Sequence, residues 1–385
     1  MPPTVISTRG AAALGAAGFL LIGWSGLLVP SLIRSIERDF GQTDAGIGLF
    51  YLAGASAYVI GSLGGGVVTE RLGRRVVLGA ACALIAAGLA LLAVVPWWTV
   101  FVLAALPMGL GAGAIDGGVN GLFLDLYPTA RGRALNLLHL FFSLGRLASP
   151  LAVGLLVGAG ARWQTMLLGT AFVAATLAVL MAVRPMPSAR PADGRSVPTA
   201  RIAFALPLAA LALAIACYVA SEVGVSSWLV RFLDAAPIAL ATGALSLFWA
   251  GLALGRLISA RIADRFDHLR FAIVSILIGA TALVAAVIVP SVPASVALFG
   301  LVGFAFGSVY PLIMAIGGDR YPDRAAAVSG FLAGSAVIGA LVYPPLMGFL
   351  SVTIGLEAAM VGTALLGFAC AAALGLQLAR VRRED

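Results

Sequence analysis

Five side chains that could bind protons or hydroxyl groups lie inside two apolar runs between residues 107 and 150. They are Asp116, Asn120, Asn136, His139 and Arg146. A carboxyl or imidazole group can take up and release a proton, whereas amide and guanidinium groups donate hydrogen bonds to hydroxyls or anions. If the runs cross a membrane, such groups are costly in lipid and usually face a bundle interior or a watery cavity. This hairpin is therefore the candidate functional site.

The composition is that of an integral membrane protein. The 385 residues are 61% hydrophobic and 10% charged, with a mean hydropathy of +1.07. A soluble domain carries about 25% charged residues. Because one span and its loop take roughly 30 residues, the length predicts about a dozen helices.

All 24 basic residues are arginines, and their placement orients the chain. By the predicted spans, 18 lie in loops on one side, four lie on the other, and Arg146 and Arg256 fall within helices. Short loops rich in arginine stay on the cytoplasmic side, so both termini are expected in the cytoplasm, beneath a bacterial-type inner membrane. The net charge of +8 is spread over short loops, so it predicts the lipid bilayer, and not nucleic acid, as the partner.

Twelve apolar segments predict an all-α membrane protein. They lie at about 10–33, 45–69, 76–95, 97–124, 134–157, 163–183, 203–232, 242–263, 271–290, 294–316, 326–350 and 354–379. A charged outer loop is expected at 34–44 and a cytoplasmic turn at 66–75, with bends at Pro107 and Pro150. Six-helix bundles at 1–184 and 201–385 would flank a Pro- and Arg-rich cytoplasmic linker at 185–200. The cysteines Cys82, Cys217 and Cys370 fit packing positions, not a disulfide or metal framework.

A shift of 194 residues superposes the second half of the chain on the first. Asp125 with Tyr127-Pro128 meets Asp319 with Tyr321-Pro322, and Glu70-Arg71 meets Asp264-Arg265. Several glycines also match, although single matches mean little in a chain with 47 glycines. The repeat predicts two bundles in parallel topology, with a solute site between them near mid-membrane that is exposed alternately to either side.

The repeat also sorts the polar residues by role. Charges matched in both halves, together with nearby arginines, are predicted to form a cytoplasmic gate: Glu70, Arg71, Arg74, Arg75, Asp125, Asp264, Arg265 and Asp319. A symmetric scaffold does not need the unmatched residues, which are candidates for binding solute and coupling ion: Asp116, Asn120, Asn136, His139, Arg146 and Glu222. Tyr310, which aligns with Asp116, is added as a solute ligand.

Asp116 is the leading candidate for carrying a proton. It lies about 15 Å from the cytoplasmic end of its helix and shares one face with Gly109, Gly113 and Asn120. A carboxyl group at that depth can bind a proton with different affinity in outward and inward states. The alternative is a permanently ionised partner of Arg146, which an arginine head on the neighbouring helix could reach.

The next helix carries Asn136, His139, Ser143 and Arg146 on one face. His139 would lie about 9 Å deep and Arg146 about 20 Å deep, so Ser143 and Arg146 come level with Asp116 or slightly beyond it. His139 could relay protons or bind a hydroxyl, or it could be a neutral histidine bonded to a backbone carbonyl. Arg146 could offer its five donors to hydroxyls or an anion.

Three further residues are candidate ligands. Glu222, about 28 Å along the seventh helix, could bind solute, couple to protons or be an interfacial carboxylate in water. Tyr218 precedes it by one turn and aligns with Trp24 in the repeat. Both aromatic rings could stack on the apolar face of a sugar or simply pack.

The turn at 66–75, with Gly66, Glu70, Arg71, Gly73, Arg74 and Arg75, resembles the loop 2–3 signature of the major facilitator superfamily, which usually has Asp in place of Glu70. The resemblance covers the whole chain and implies two six-helix bundles that work by alternating access. The segments GLGAGAIDGGVNG, NLLHLFFSLGRLASP, YVASEVGVSSWLVRFL and FGSVYPLIMAIGGDRYP are similar to the fucose/glucose–proton symporter branch. This second resemblance implies a hexose-type sugar moved with a proton.

The sequence therefore predicts a monomeric secondary transporter that moves a small polar solute, best a monosaccharide, by proton symport. We find no credible nucleotide-binding or hydrolytic motif, so transport would use an ion gradient or facilitated diffusion, and not a cofactor or an enzymatic step. Sodium in place of the proton, and import or export, stay open. One alternative is an organic-anion or drug transporter in which Arg146 binds a carboxylate, and another is a non-transporting membrane sensor or receptor.

Overall fold

The computed structural model describes residues 8–187 and 206–384, and every regular element in these ranges is helical. The twelve predicted spans are confirmed as twelve segments long and apolar enough to cross a membrane. Their helices are α1 (Thr8–Gly26), α2 (Leu28–Phe40), α3 (Asp44–Leu72), α4 (Arg74–Val94), α5 (Trp98–Leu126), α6 (Arg131–Gly158), α7 (Trp163–Val183), α8 (Leu206–Phe232), α9 (Ile238–Ile262), α10 (His268–Ile288), α11 (Val292–Phe306), α12 (Val309–Arg320), α13 (Ala325–Ile354) and α14 (Leu356–Glu384). The first span contains both α1 and α2, and the tenth contains both α11 and α12.

Both interrupted spans break four residues before a proline. α1 ends at Gly26, four residues before Pro30, and the break after α11 begins at Gly307, four residues before Pro311. A proline ring clashes with the carbonyl group four positions earlier and supplies no N–H to it. Glycine at that earlier position gives the helix little resistance to breaking.

Pro107 and Pro150 lie inside α5 and α6, which continue past them. Four residues before these prolines stand Leu103 and Arg146, where the broken spans have glycine. The predicted bends stay predictions, but neither proline interrupts its helix.

Two predicted loops are much shorter than predicted. The stretch 34–44 is helical as far as Phe40, and α2 ends only where Gly41 adopts φ 60°. The stretch 66–75 is helical except for Gly73, whose φ of 81° separates α3 from α4. Charged residues mark where a chain leaves the hydrocarbon. The helix itself continues until a residue, here a glycine, adopts a positive φ that an α-helix does not accommodate.

The described residues fall into two compact units. Among them, residues 8–42 and 49–187 belong to the first unit, and residues 43–48 and 206–384 belong to the second. Apart from the first turn of α3, helices α1–α7 belong to the first unit and α8–α14 to the second. Most of the predicted linker at 185–200 lies outside the described residues, and the domain limits 1–184 and 201–385 stay a prediction.

Matched glycines allow pairs of helices to approach closely in each unit. A Cβ atom on Gly113 of α5 would lie 2.1 Å from the carbonyl oxygen of Tyr58 in α3. A Cβ atom on Gly307 would lie 2.4 Å from the carbonyl oxygen of Leu252 in α9. Both the glycines and the carbonyl groups are related by the 194-residue shift. The glycine matches therefore mark backbone contacts that were repeated together with the helices.

The three cysteines lie buried in α4, α8 and α14, as expected for packing residues. Cys82 and Cys370 are fully inaccessible, and Cys217 is 8% exposed. The thiol of Cys82 lies 3.6 Å from the sulfur of Met181 in α7.

Candidate functional site

Asp116 lies deep inside α5 and is held by two neighbours. The Tyr58 hydroxyl donates to Asp116 Oδ2 at 2.8 Å. The Asn120 side-chain amide donates to Asp116 Oδ1 at 3.1 Å and to the Asp116 carbonyl oxygen at 2.9 Å. The partly buried carboxyl group is about 15 Å from the end of α5 at Leu126. The first unit therefore contains an ionisable group with hydrogen-bond donors already in place around it.

Tyr58 is a site residue that the sequence analysis missed. It lies at the centre of α3, about 21 Å from either end. Its hydroxyl reaches Asp116 because α3 and α5 touch at Gly113. In the repeat Tyr58 aligns with Leu252, which is the same kind of polar-to-apolar mismatch that singled out Asp116. Applying that criterion to every polar residue would have found it.

The residues predicted on α6 take different positions. His139 packs edge-on against Phe19 of α1, with ring centroids 5.4 Å apart, and interacts electrostatically with the Asp116 carboxylate. Ser143 donates its hydroxyl proton to the His139 carbonyl oxygen at 2.9 Å. Asn136 occupies an exposed position on the helix. His139 thus lies within electrostatic range of Asp116, while its proton relay and the solute contacts predicted for Asn136 and Ser143 stay predictions.

Arg146 is partly buried in α6, where its guanidinium carbon lies 4.6 Å from the centre of the Phe142 ring. This is cation–π geometry, which stabilises a guanidinium inside a span. The hydrogen bonds given above assign Tyr58 and Asn120 to the Asp116 carboxylate. The predicted Asp116–Arg146 pair stays a prediction.

Trp24 of α1 is held inside the first unit by α7. Its indole N–H donates to Thr170 Oγ1 at 3.0 Å, and Thr170 is itself buried. The sequence predicted that Trp24 could stack on a solute. This hydrogen bond supports the packing alternative.

Replacing Trp24 with Phe should therefore affect stability and leave solute affinity unchanged. The change keeps a six-membered aromatic ring but removes the indole N–H and the pyrrole part of the ring, so the free energy of unfolding should fall by at least about 1 kcal/mol. Thermal unfolding in detergent and the KM of uptake measure the two effects. Trp97→Phe is the matched control, since Trp97 is 68% exposed. A raised KM with unchanged stability would restore the stacking role of Trp24.

The second unit contains a polar cluster between α8 and α9. The Tyr218 hydroxyl lies within hydrogen-bond distance of the Glu222 carboxylate and 3.0 Å from the Phe306 carbonyl oxygen, and it donates its single proton to one of them. Arg256 Nη2 of α9 lies 3.7 Å from Glu222 Oε2. Tyr218 is fully buried and Glu222 is 8% exposed. Tyr310, the other predicted ligand in this unit, is partly buried in the first turn of α12.

Arg256 was not among the predicted site residues, although it was recognised as a charge within a helix. It aligns with the uncharged Ser62 in the repeat, so comparing charges between the two halves would have identified it. Glu222 and Tyr218 were predicted, and the structure brings them together with Arg256.

On the predicted cytoplasmic side, Arg74 and Asp125 form an ion pair. Arg74 is 4% exposed and also donates to the carbonyl oxygens of Gly121 and Pro187, each at 3.3 Å. The pair connects α4 to α5, and its arginine is almost completely buried.

The second unit contains a counterpart of this pair with histidine in place of arginine. His268 Nδ1 lies 3.6 Å from Asp319 Oδ2, and both residues stand 194 positions after Arg74 and Asp125. Sequence analysis predicted Asp319 but missed His268. Because imidazole is charged only when protonated, the second pair is an ion pair only in that state.

The remaining predicted gate residues are less enclosed. Arg75 donates from Nη2 and Nε to the Ala182 carbonyl oxygen, at 2.6 and 3.1 Å. Glu70, Arg71 and Arg265 are exposed, and the side chain of Asp264 lies outside the described part of the chain. The gate role of all these residues stays a prediction.

Replacing Arg74 with Ala should destabilise the first unit. It leaves the Asp125 carboxylate and two carbonyl groups without their buried donor, and breaking a buried pair costs about 3–5 kcal/mol. Since Asp125 is 24% exposed, we expect the lower end of that range for the free energy of unfolding. Arg75→Ala, which alters the exposed neighbouring residue, is the control and should change the free energy of unfolding little. Equal thermal stability of the two variants would contradict the structural role of the pair.

Twelve apolar spans with ionisable groups deep inside each unit define a multi-pass membrane transporter. The chain belongs to the Major Facilitator Superfamily, whose sequence model matches residues 13–236 and 200–385. This membership confirms the predicted family and the fold of two pseudo-symmetric six-helix bundles, and it means that the protein is a transporter and not an enzyme.

The sequence relatives include vertebrate and bacterial proteins. The sodium-dependent glucose transporter 1A of Mus musculus is 26% identical over 142 residues, which are 37% of this chain and 33% of the mouse protein. The chain therefore matches about a third of the length of that relative. An uncharacterized MFS-type transporter of Yersinia pestis is 26% identical over 354 residues, covering 87% of this chain and 88% of the relative.

Solved structures show the same fold at low identity. A variant of the nucleoside transporter NupG superposes with a TM-score of 0.78 and 16% identity over 96% of this chain and 99% of that one. A bacterial homolog of the human lysosomal transporter Spinster, in an inward-facing and occupied conformation, gives a TM-score of 0.77 and 16% identity over 96% and 95%.

Proposed function

We propose that the protein is a proton-coupled symporter that moves a monosaccharide by alternating access, with Asp116 as the proton carrier. The observation that carries the proposal is the Asp116 carboxylate, placed deep in an apolar helix with Tyr58 and Asn120 hydrogen-bonded to it. An ionisable group inside a membrane span is costly and is usually retained for transport.

The partners of Asp116 can serve both of its protonation states. An ionised carboxylate accepts hydrogen bonds from the Tyr58 hydroxyl and the Asn120 amide. When the carboxyl group binds a proton it becomes a donor, and the Tyr58 hydroxyl can rotate to accept because it is both donor and acceptor. His139 lies within electrostatic range of the carboxylate, and we propose it as the group that relays a proton to Asp116.

The same geometry favours a proton over sodium. A hard cation needs several oxygen lone pairs directed at it. The described partners of the Asp116 side chain instead direct N–H and O–H groups toward it. Because vertebrate relatives are named sodium-dependent, sodium is the alternative that the experiment must address.

The cargo is inferred from the neutral polar groups and from the relatives. Asn120, Asn136 and His139 can bind hydroxyl groups of a sugar, and Arg146 can add donors to them. Vertebrate relatives named as glucose transporters support a monosaccharide.

Uptake of labelled D-glucose into proteoliposomes tests the proposal directly. We expect accumulation above the external concentration with an inward proton gradient, and only equilibration without one. Accumulation driven by a sodium gradient alone would replace the proton with sodium. Equal uptake under all three conditions would refute coupling, and no binding or uptake of neutral monosaccharides would refute the cargo.

Transport of an organic anion is the second candidate, and the guanidinium of Arg146 inside α6 favours it. Uptake of D-glucuronate should then exceed that of D-glucose. Arg146→Gln should abolish uptake of the anion and at most modestly weaken uptake of the sugar.

The same proposal includes orientation and assembly. The 18 arginines in loops on one side favour cytoplasmic termini in an inner membrane, and each transporter would work as a monomer. A C-terminal tag should be accessible to antibody only after permeabilisation. The mass of the purified protein in detergent, measured by light scattering, tests the monomer.

A further inference from the structure

The three side chains of the polar cluster in the second unit, Tyr218, Glu222 and Arg256, differ in how much of each remains accessible. Tyr218 is fully buried, Glu222 is 8% exposed, and the side chain of Arg256 is 34% exposed. Arg256 lies about 9 Å from the end of α9 at Ile262. A guanidinium at that depth is costly in hydrocarbon, and from this cost we infer that its accessible part faces a watery space.

The contacts form a chain that ends at Arg256. The Phe306 carbonyl oxygen and the Tyr218 hydroxyl hold one end, Glu222 lies in the middle, and Arg256 Nη2 lies 3.7 Å from the Glu222 carboxylate. Gly307 fixes this geometry, because its missing side chain lets the backbone nitrogen of Arg256 come within 2.8 Å of where a Cβ atom would stand.

Resting on the proposed function, we propose that Arg256 contacts the solute in the second unit and determines its preference for neutral molecules. Glu222 and Tyr218 act as positioning residues. An arginine has five N–H donors, so it can bind Glu222 and still donate to sugar hydroxyls. Glu222 already balances the charge of Arg256. An anion therefore gains little binding energy from Arg256, while the binding of an uncharged hydroxylated molecule is not weakened.

The decisive measurement is the ratio of affinities for D-glucose and D-glucuronate, which share a ring and differ by a carboxylate. Glu222→Gln removes the balancing charge and should shift the ratio toward D-glucuronate by about tenfold or more, the range of a hydrogen bond between charged groups. Adding Arg256→Gln to that variant should return the ratio toward the wild-type value. A purely structural role of Glu222 would weaken both sugars equally, and that result would overturn the proposal.

The single variants of Arg256 separate contact from folding. Arg256→Gln should weaken D-glucose binding by about tenfold or more, and Arg256→Lys should recover part of it because the charge is retained. Arg261→Gln is the control: Arg261 lies in the same helix, is exposed and donates to the Leu257 carbonyl oxygen at 3.1 Å. Unchanged affinity in Arg256→Gln would overturn the proposal.

Chemical labelling of Arg256, first without sugar and then with it, distinguishes this proposal from the proposed function. Phenylglyoxal, which modifies guanidinium groups from water, should label Arg256 in proteoliposomes, as detected by mass spectrometry, and D-glucose should slow the labelling. An unlabelled Arg256 would show that it faces no watery space and would overturn the inference. If Arg256 is labelled but neither sugar protects it or binds, the monosaccharide proposal fails along with the preference, while the water-facing position stands.

Discussion

Asp116→Asn should abolish uphill transport while leaving exchange in place. Asparagine has the same size, and its oxygen can accept from Asn120 while its NH2 group donates to the Tyr58 hydroxyl oxygen, but it binds no proton in the accessible pH range. In proteoliposomes with an inward proton gradient, the internal concentration of D-glucose should stop at the external value. Counterflow, which requires binding and reorientation but no net proton movement, should continue.

Tyr58→Phe is the matched comparison, because it keeps the carboxyl group and removes one donor to it. We expect this variant to retain accumulation but with an altered dependence of uptake on pH, since the ionised form of Asp116 loses a hydrogen bond at 2.8 Å. An Asp116→Asn variant that still concentrates solute would remove Asp116 from the coupling step. If a folded Asp116→Asn variant loses counterflow as well, the main role of Asp116 is to bind the solute.

Gly113→Ala should both destabilise the protein and impair transport. The added Cβ atom would stand 2.1 Å from the Tyr58 carbonyl oxygen and 2.7 Å from the Ser62 backbone nitrogen, so α3 and α5 must separate. Overpacking of this kind costs about 1–3 kcal/mol of unfolding free energy. The separation also draws Tyr58 away from Asp116. Thermal unfolding and proton-driven uptake should therefore fall together.

Gly121→Ala in the same helix is the control. A Cβ atom there meets nothing within 4 Å, so the change should leave stability equal or raise it, since alanine favours helix by about 1 kcal/mol over glycine. If both alanine variants melt at the same temperature, the close approach of α3 and α5 does not limit stability.

The number of spans was predictable because the hydropathy of a span is a sum over some twenty residues, so that a few polar residues do not hide the signal. Helix ends were not predictable in the same way. The charged stretch after Ile33 continues as helix to Phe40, and the break at Gly26 depends on Pro30, whose effect acts four residues upstream. Hydropathy detects the membrane boundary, whereas these ends depend on local backbone geometry.

Contacts within one helix of the candidate site were predictable from the sequence, whereas contacts between helices were not. Asp116 and Asn120 were placed on one face by their spacing, and they are hydrogen-bonded in the structure. Tyr58 and Arg256 lie on neighbouring helices, and which helix packs against which cannot be read from spacing. The repeat nevertheless contained the information, because Tyr58 aligns with Leu252 and Arg256 with Ser62.

The burial of all three cysteines gives the natural chain a practical advantage. Thiol reagents need an accessible sulfur, so an impermeant maleimide should leave Cys82, Cys217 and Cys370 unlabelled. Single cysteines introduced at exposed positions, such as Arg162→Cys or Arg265→Cys, can then report which face of the bilayer each loop occupies. The native cysteines thus give no labelling signal. The side of the membrane on which each loop lies can therefore be mapped without first removing any native residue.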